Sequence, residues 1–334
     1  MTAAEPLNSD RHFAGYDLIG DVHGCADSLV KLLTLLGYSK QRGAYQFSNP
    51  SRPRQIIFMG DILDRGPKIR EAMLIIREMV ESGSAQIVMG NHEYNALGYT
   101  TLAPGNSNKT YLREHTESHT HSIQQTLDQY ANHPGDWSDT LQWIYQWPLF
   151  LEFESFRVVH ACWDQQLIDE FLLQRPDATI DHAFLLKSQD YKNFAGRFMS
   201  RTVRGVSLML PDNLSMIGQD GYTRRAFRAK YWVKNPRTYG DVEFQPDALS
   251  STVAKTLLSA AEIQQIPYYD KHQRPLFIGH YWQSGDPAPL TPNVACLDYS
   301  AVKNGRLVAY RMDGEQHLTA NKFTWVHGNE TLEL

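Results

Sequence analysis

The sequence predicts a layered α/β fold. Two patterns carry that reading. The first hundred residues alternate short buried-strand segments with amphipathic helical ones, three times over, and the last sixty read as strands in series. A third observation concerns the residues just past the strands. Five apolar segments run straight into carboxylate, amide or imidazole side chains, where an unpaired charge would cost several kcal/mol to bury.

Taken in order, "YDLIG" is the first strand segment. The helical stretch "ADSLVKLLTLLGY" follows, with Leu29, Leu32, Leu33 and Leu36 on one face and Gly37 as its stop. "RQIIFMG" is the second strand, and "PKIREAMLIIREMVESG" the next helix, with Pro67 suited to its first turn and Gly83 beyond its end. "AQIVMG" then leads into "NHEYNALGY". Residues 100–148 are polar, rich in His and Trp, and read as helical. "FRVVHA" and "PLFIGHYW" read as further core strands, with an elaborated insert over 165–270 between them. "NVACLDYS" and "GRLVAYRMDGEQHLTANKFTWV" close the chain as strands, with Asp313-Gly314 as a hairpin turn. The expected organisation is a single domain over 14–334, with inserts at about 100–148 and 165–270 and an N-terminal extension over 1–13.

Composition narrows the class. The 334 residues are 42% hydrophobic and 21% charged, with a net charge of −5, so no global basic field favours extended nucleic acid or anionic membrane. No apolar run reaches the roughly 20 residues of a membrane span, and the N-terminus lacks a secretion signal. Three dispersed cysteines, Cys25, Cys162 and Cys296, make neither a disulfide framework nor a zinc ribbon, which fits a reducing cytoplasm.

The strand ends carry the chemistry. They are Asp21/His23, Asp61/Asp64, Asn91/His92, His160 and His280. Carboxyl ends of strands gather at one edge of an open α/β sheet, so residues far apart in sequence meet there. A mixture of carboxylate, amide and imidazole donors without thiolate suits Mn²⁺, Fe, Zn²⁺ or Mg²⁺, and it is too large for one ion. Two cations about 3.5–4 Å apart, sharing a carboxylate, would use the whole set. Each residue alone has a plainer reading: Asp21 and Asp61 as helix N-caps, Asp64-Arg65 as a surface ion pair, Asn91-His92 as a turn, His160 and His280 as core histidines. Five polar strand ends together make those readings recede.

The motifs "GDVHG", "GDILDRGP" and "GNHE", followed by "VVHA" and "IGHY", resemble the calcineurin-like metallophosphoesterases, in particular the phosphoprotein phosphatase branch and its small bacterial members. These include serine/threonine phosphatases, diadenosine tetraphosphatases and the phosphatase module of polynucleotide repair enzymes. The resemblance implies an α-β-β-α sandwich with mixed sheets and helical inserts. It implies one metal on Asp21, His23 and Asp61 and a second on Asp61, Asn91, His160 and His280, with Mn²⁺ as the first expectation. It also implies direct attack on phosphorus by a metal-bridging hydroxide. His92 would be the general acid, Asp64 its orienting partner, and Arg65 a phosphate clamp. A second phosphate arginine is expected later: "RTVRGVSL" offers Arg204, and "GYTRRAFRAKYW" offers the preferred pair Arg225 and Arg228. The chain has "VVHACW" and "IGHYW", so the histidines are kept while the flanking Gly, Thr and Pro are not.

The expected activity is therefore hydrolysis of phosphomonoesters, with a phosphoprotein-type substrate favoured by the intact "GDILDRG" and "GNHE". Alternatives on the same site are a bis(5'-nucleosyl)-tetraphosphatase and a polynucleotide 3'-phosphatase, the latter weakened by the acidic charge and the absence of a Walker loop. A non-catalytic metal-binding scaffold is the remaining alternative. The substrate is expected to be a phosphorylated small molecule, nucleotide or phosphoprotein, with no extended nucleic-acid or membrane partner. His115, His119 and His121 read as solvated rather than as a third metal site, and "WIYQWPLF" as packing. Cys25 reads as a small buried side chain, and Cys162 as buried with a minor redox role as its alternative.

Overall fold

The computed structural model describes residues 13–105, 107–211, 214–217, 223–244 and 249–328. The expected N-terminal extension lies, but for Phe13, outside the described residues. Two mixed sheets form the centre. In the first, Gly15–Ile19, Arg54–Phe58 and Ala85–Ile87 run parallel side by side, and Arg306–Met312 joins antiparallel to Gly15–Ile19. Asp298–Tyr299 and Phe323–His327 both pair with Arg306–Met312. In the second sheet Val294–Cys296, Leu276–Ile278 and Arg157–Val159 are parallel, and Phe150–Glu152 is antiparallel at the edge.

Alternation along these strands separates two apolar layers. Leu18, Ile57, Val158, Phe277, Ala295, Val308 and Tyr310 pack together between the sheets. The Phe277 and Tyr310 rings meet there at 5.0 Å. Ile19, Ile56 and Phe58 point the other way, into the layer that holds Leu29, Leu32 and Leu33 of the Ala26–Leu36 helix and Ile76 of the Ile69–Glu81 helix. Gly37 ends the first helix with φ of 91°, the left-handed cap its sequence predicts.

The 100–148 segment holds the helices Glu117–Tyr130 and Pro134–Ile144. The 165–270 segment holds Gln165–Leu172, His182–Lys187 and Phe194–Arg204, then a two-stranded ribbon of Val206–Met209 with Ala226–Ala229. Trp143 and Trp147 are buried edge to face at 4.9 Å, so "WIYQWPLF" is packing. The final hairpin differs from its expected form. Tyr310 pairs with Phe323, so the connection runs over 313–322 with a short helical turn at Ala320–Lys322, and Asp313-Gly314 only begins it. No described helix is long and apolar enough to cross a membrane.

Candidate metal centre and catalytic cleft

The carboxyl ends of five parallel strands, three in one sheet and two in the other, converge, and residues after four of them line one cleft of about 870 Å³. Asp21 and His23 follow Gly15–Ile19, Asp61 follows Arg54–Phe58, and Asn91 and His92 begin the helix after Ala85–Ile87. His160 and His280 follow Arg157–Val159 and Leu276–Ile278. The turns that aim these side chains are conformationally costly. His23, Asp61, Asp64, Arg65 and His280 all have positive φ, between 43° and 72°, a region non-glycine residues seldom enter.

Asp61 is the hub. Its Oδ2 lies 3.4 Å from His160 Nε2, 3.7 Å from His23 Nε2 and 3.9 Å from His92 Nε2. Two donor groups form around it within 4.8 Å, Asp61–His160–His280 and His23–Asp61–His92. Asn91 joins the first, with Oδ1 3.2 Å from His160 Nε2. The outer nitrogens are fixed by backbone carbonyls: His23 Nδ1 bonds Leu63 O at 2.7 Å, and His160 Nδ1 bonds Met59 O at 2.7 Å. That leaves each Nε2 toward Asp61 Oδ2, with the other ring nitrogen held, the arrangement ligating imidazoles commonly have.

Charge here is unbalanced without a cation. Asp21 Oδ2 accepts from His280 N at 3.3 Å, but among the described residues the buried Oδ1 has no partner, and neither has the buried His280 Nε2. Burial pushes the Asp21 pKa well up, and the charges of Asp298 and Asp61 push it further. Burial also acts against the charge of Asp61, but the imidazoles of His160 and His92 outweigh it and hold its pKa well below the usual carboxylate range. Burial, Arg228 and His160 keep the His280 pKa low, so this ring is a neutral donor. Gly279 permits the crowding: a Cβ there would lie 2.2 Å from Asp21 Oδ1. Orphaned oxygen and nitrogen donors converging on a shared carboxylate fit a pair of divalent ions.

His92 sits beside this set. Its Nδ1 meets Asp64 Oδ2 at 2.6 Å, and Asp64 Oδ1 accepts from Thr126 Oγ1 at 2.5 Å. Arg65 approaches His92 Nε2 at 3.2 Å from the cleft side. Of the late arginines, Arg228 lines the cleft, donating to His280 O at 2.6 Å and lying over the Phe244 and Tyr281 rings. Arg225 is exposed and does not line the cleft, whereas Arg224, which ends the short strand Thr223–Arg224, does. Arg204 lies outside the cleft, bonded to Asn95 Oδ1 at 2.6 Å.

Sequence reasoning passed over two residues here. Glu93 is fully buried and accepts from the backbone N–H of Asp61, Ile62, Leu63 and Gly90, so one carboxylate shapes the turn that presents Asp61. A glutamate three residues into a helix is a capping signal that could have revealed it. Asp298, which lines the cleft beside Asp21, had no such signal. His115 is stacked between Tyr99 and Tyr111 at 3.7 and 3.9 Å, and among the described residues no third metal group includes it. Cys25, Cys162 and Cys296 are buried and unbridged.

Known proteins resemble this chain at several levels. It is 46% identical over 76 residues to the asymmetrical bis(5'-nucleosyl)-tetraphosphatase PrpE of Oceanobacillus iheyensis, a match covering 23% of this chain and 29% of that protein. The chain thus spans under a third of the length of the first such relatives. It is 24% identical over 309 residues to a symmetrical bis(5'-nucleosyl)-tetraphosphatase of Vibrio vulnificus, covering 90% and 95% of the two chains. A protein serine/threonine phosphatase from Saccharomyces cerevisiae, similar to human phosphatase PP5, shares the fold with a TM-score of 0.52 at 11% identity, over 98% of this chain and 83% of that one. The family model for calcineurin-like phosphoesterases matches residues 16–185, the span that contributes all the candidate metal donors but His280. The chain belongs to the calcineurin-like phosphoesterase family.

Proposed function

We propose that this chain is a dinuclear metal-dependent hydrolase of phosphoester bonds, with Asp21, His23 and Asp61 holding one ion and Asp61, Asn91, His160 and His280 the other. The observation that carries this is the pair of orphaned, buried donor atoms, Asp21 Oδ1 and His280 Nε2, beside the donor groups that share Asp61. When bound, such ions supply a water of lowered pKa and neutralise phosphoryl charge. The oxygen and imidazole set favours Mn²⁺, with Fe, Zn²⁺ and Mg²⁺ as the comparison metals.

The residues do the rest. Asp64 fixes the His92 tautomer by accepting from Nδ1, and Thr126 holds Asp64, so His92 Nε2 is aimed into the cleft. Protonated there, Nε2 donates to the leaving oxygen, a contribution of about 10²–10⁴-fold. Arg65 offers its planar fork to the phosphoryl oxygens, and Arg228 lines the same cleft.

For the substrate, the cleft supports a nucleotide carrying a phosphate chain over a phosphoprotein. Arg224, Arg228, Lys303 and Arg306 continue the cationic lining beyond the metal donors, with Phe227, Phe244 and Trp282 among them. Relatives aligned over nearly the whole chain are named as symmetrical bis(5'-nucleosyl)-tetraphosphatases. The phosphoprotein reading retains the intact "GDILDRG" and "GNHE" motifs in its support. Three buried cysteines without a disulfide fit a reducing compartment such as the cytoplasm.

Hydrolysis of p-nitrophenyl phosphate across a metal panel tests the reaction: turnover is expected with Mn²⁺ and lost in Asp61→Asn. Equal turnover by wild type and Asp61→Asn would remove the reading. Comparing kcat/KM for diadenosine tetraphosphate, a phosphopeptide and a 3'-phosphorylated oligonucleotide then decides the substrate class, with the dinucleotide expected to lead.

A further inference from the structure

A second pocket, of about 230 Å³, lies against Tyr94, Asn95 and Gly98 of the Asn91–Thr100 helix and shares no lining residue with the cleft. Arg113, Arg204 and Lys109 bring three cationic side chains to it, against the single carboxylate of Glu114. Arg204 is tethered: it donates to Asn95 Oδ1 at 2.6 Å and to the Tyr191 hydroxyl at 3.2 Å, and lies 5.0 Å over the Tyr94 ring. The Tyr94 hydroxyl is itself fixed, 2.8 Å from Ser188 Oγ and 3.0 Å from Gln189 Nε2.

Arg113 is different. Its backbone N–H bonds Gly98 O at 2.9 Å, and a Cβ at Gly98 would crowd Arg113 Cβ at 3.3 Å, so the glycine lets this segment close on the helix. Yet its half-buried guanidinium has no hydrogen bond or ion pair with any described residue, and neither arginine pairs with a described carboxylate. Burial, and then the nearby charge of Arg204, push the Arg113 pKa below its usual value. Two close, partly desolvated guanidiniums are a poor arrangement by themselves and a good one around an oxyanion, which their planar forks can share.

We propose that the Arg113–Arg204 pocket is a second anion site that binds a phosphate dianion, either free orthophosphate or the phosphoryl group of a monoester. Arg113 supplies the uncommitted fork and Arg204 a preoriented one, with the Tyr191 hydroxyl beside them. The site stands apart from the metal centre and does not depend on its chemistry.

Calorimetric titration of the metal-loaded full chain with orthophosphate tests this. Two classes of site are expected in the wild type. Arg113→Gln and, separately, Arg204→Gln should weaken one class by about tenfold or more, the scale of one lost charge-assisted contact. Arg65→Ala should weaken the other class, so failure of the metal-centre reading shows up separately. Should Arg204→Gln not fold, Arg113→Gln carries the test, since its side chain makes no described hydrogen bond. O-phosphoserine filling the same class marks esterified phosphate as a ligand, and its exclusion marks free phosphate; either supports the site. Phosphate binding that Arg113→Gln leaves untouched, whether the wild type shows one class of site or two, overturns it.

Discussion

Asp17 and Asp21 are two buried carboxylates four residues apart, one on the first strand and one just past its end, and their surroundings could hardly differ more. Asp17 has no solvent exposure, yet Arg54 Nε donates to it at 3.0 Å, Arg311 Nε at 2.8 Å and the Tyr38 hydroxyl at 3.0 Å. Asp21 has one oxygen with no partner, two other carboxylates close by, and no arginine bonded to it among the described residues. The first carboxylate has its compensation built into the chain. The second has been left without it, and a chain that answers charge so fully at one end of a strand leaves the other end for something it must bind.

Substitutions at the two positions should separate these roles. The largest effect is expected at the uncompensated end: Asp21→Asn should lower kcat by roughly 10³-fold, the scale of losing a charge-organising group. The metal-free variant should nonetheless unfold at a higher temperature than metal-free wild type, because one of three crowded carboxylates is gone; a lower unfolding temperature would refute the contrast with Asp17. His92→Ala, in the same cleft as Asp21, should cost about 10²–10⁴-fold in kcat while elemental analysis still finds both metals. Asp17→Ala should do the reverse. Removing one partner of a buried ionic cluster costs about 3–5 kcal/mol in urea denaturation, with kcat per folded molecule preserved. The smallest effect concerns the substrate: Arg224→Ala should raise KM for diadenosine tetraphosphate by about tenfold with p-nitrophenyl phosphate unaffected, and the exposed Arg225→Ala should change neither.

Much of this centre was legible beforehand, for a local reason. Carboxylate, amide and imidazole side chains placed directly after apolar strands are a short-range pattern, and parallel strands carry their ends to one edge whatever the sequence between them. The ribbon arginines were not legible in the same way. Arg224 ends the short strand Thr223–Arg224, which pairs with Met216–Ile217, and Arg225 follows it, so which of the two faces the cleft is set by a pairing between separate segments. The positive φ of His23, Asp61, Asp64, Arg65 and His280 was equally hidden, since nothing in those residue types asks for that conformation.

The order of residues alone was enough to show which strands end in candidate metal donors, which faces of the first helices are buried, and the family to which these motifs point, because periodicity and spacing are properties of neighbouring residues. It took the folded chain to show that Asp17 is answered and Asp21 is not, that Glu93 holds the turn of Asp61, and that Arg113 and Arg204 line one pocket. Each of those depends on groups brought together from distant parts of the chain, and compensation of charge is a property of space.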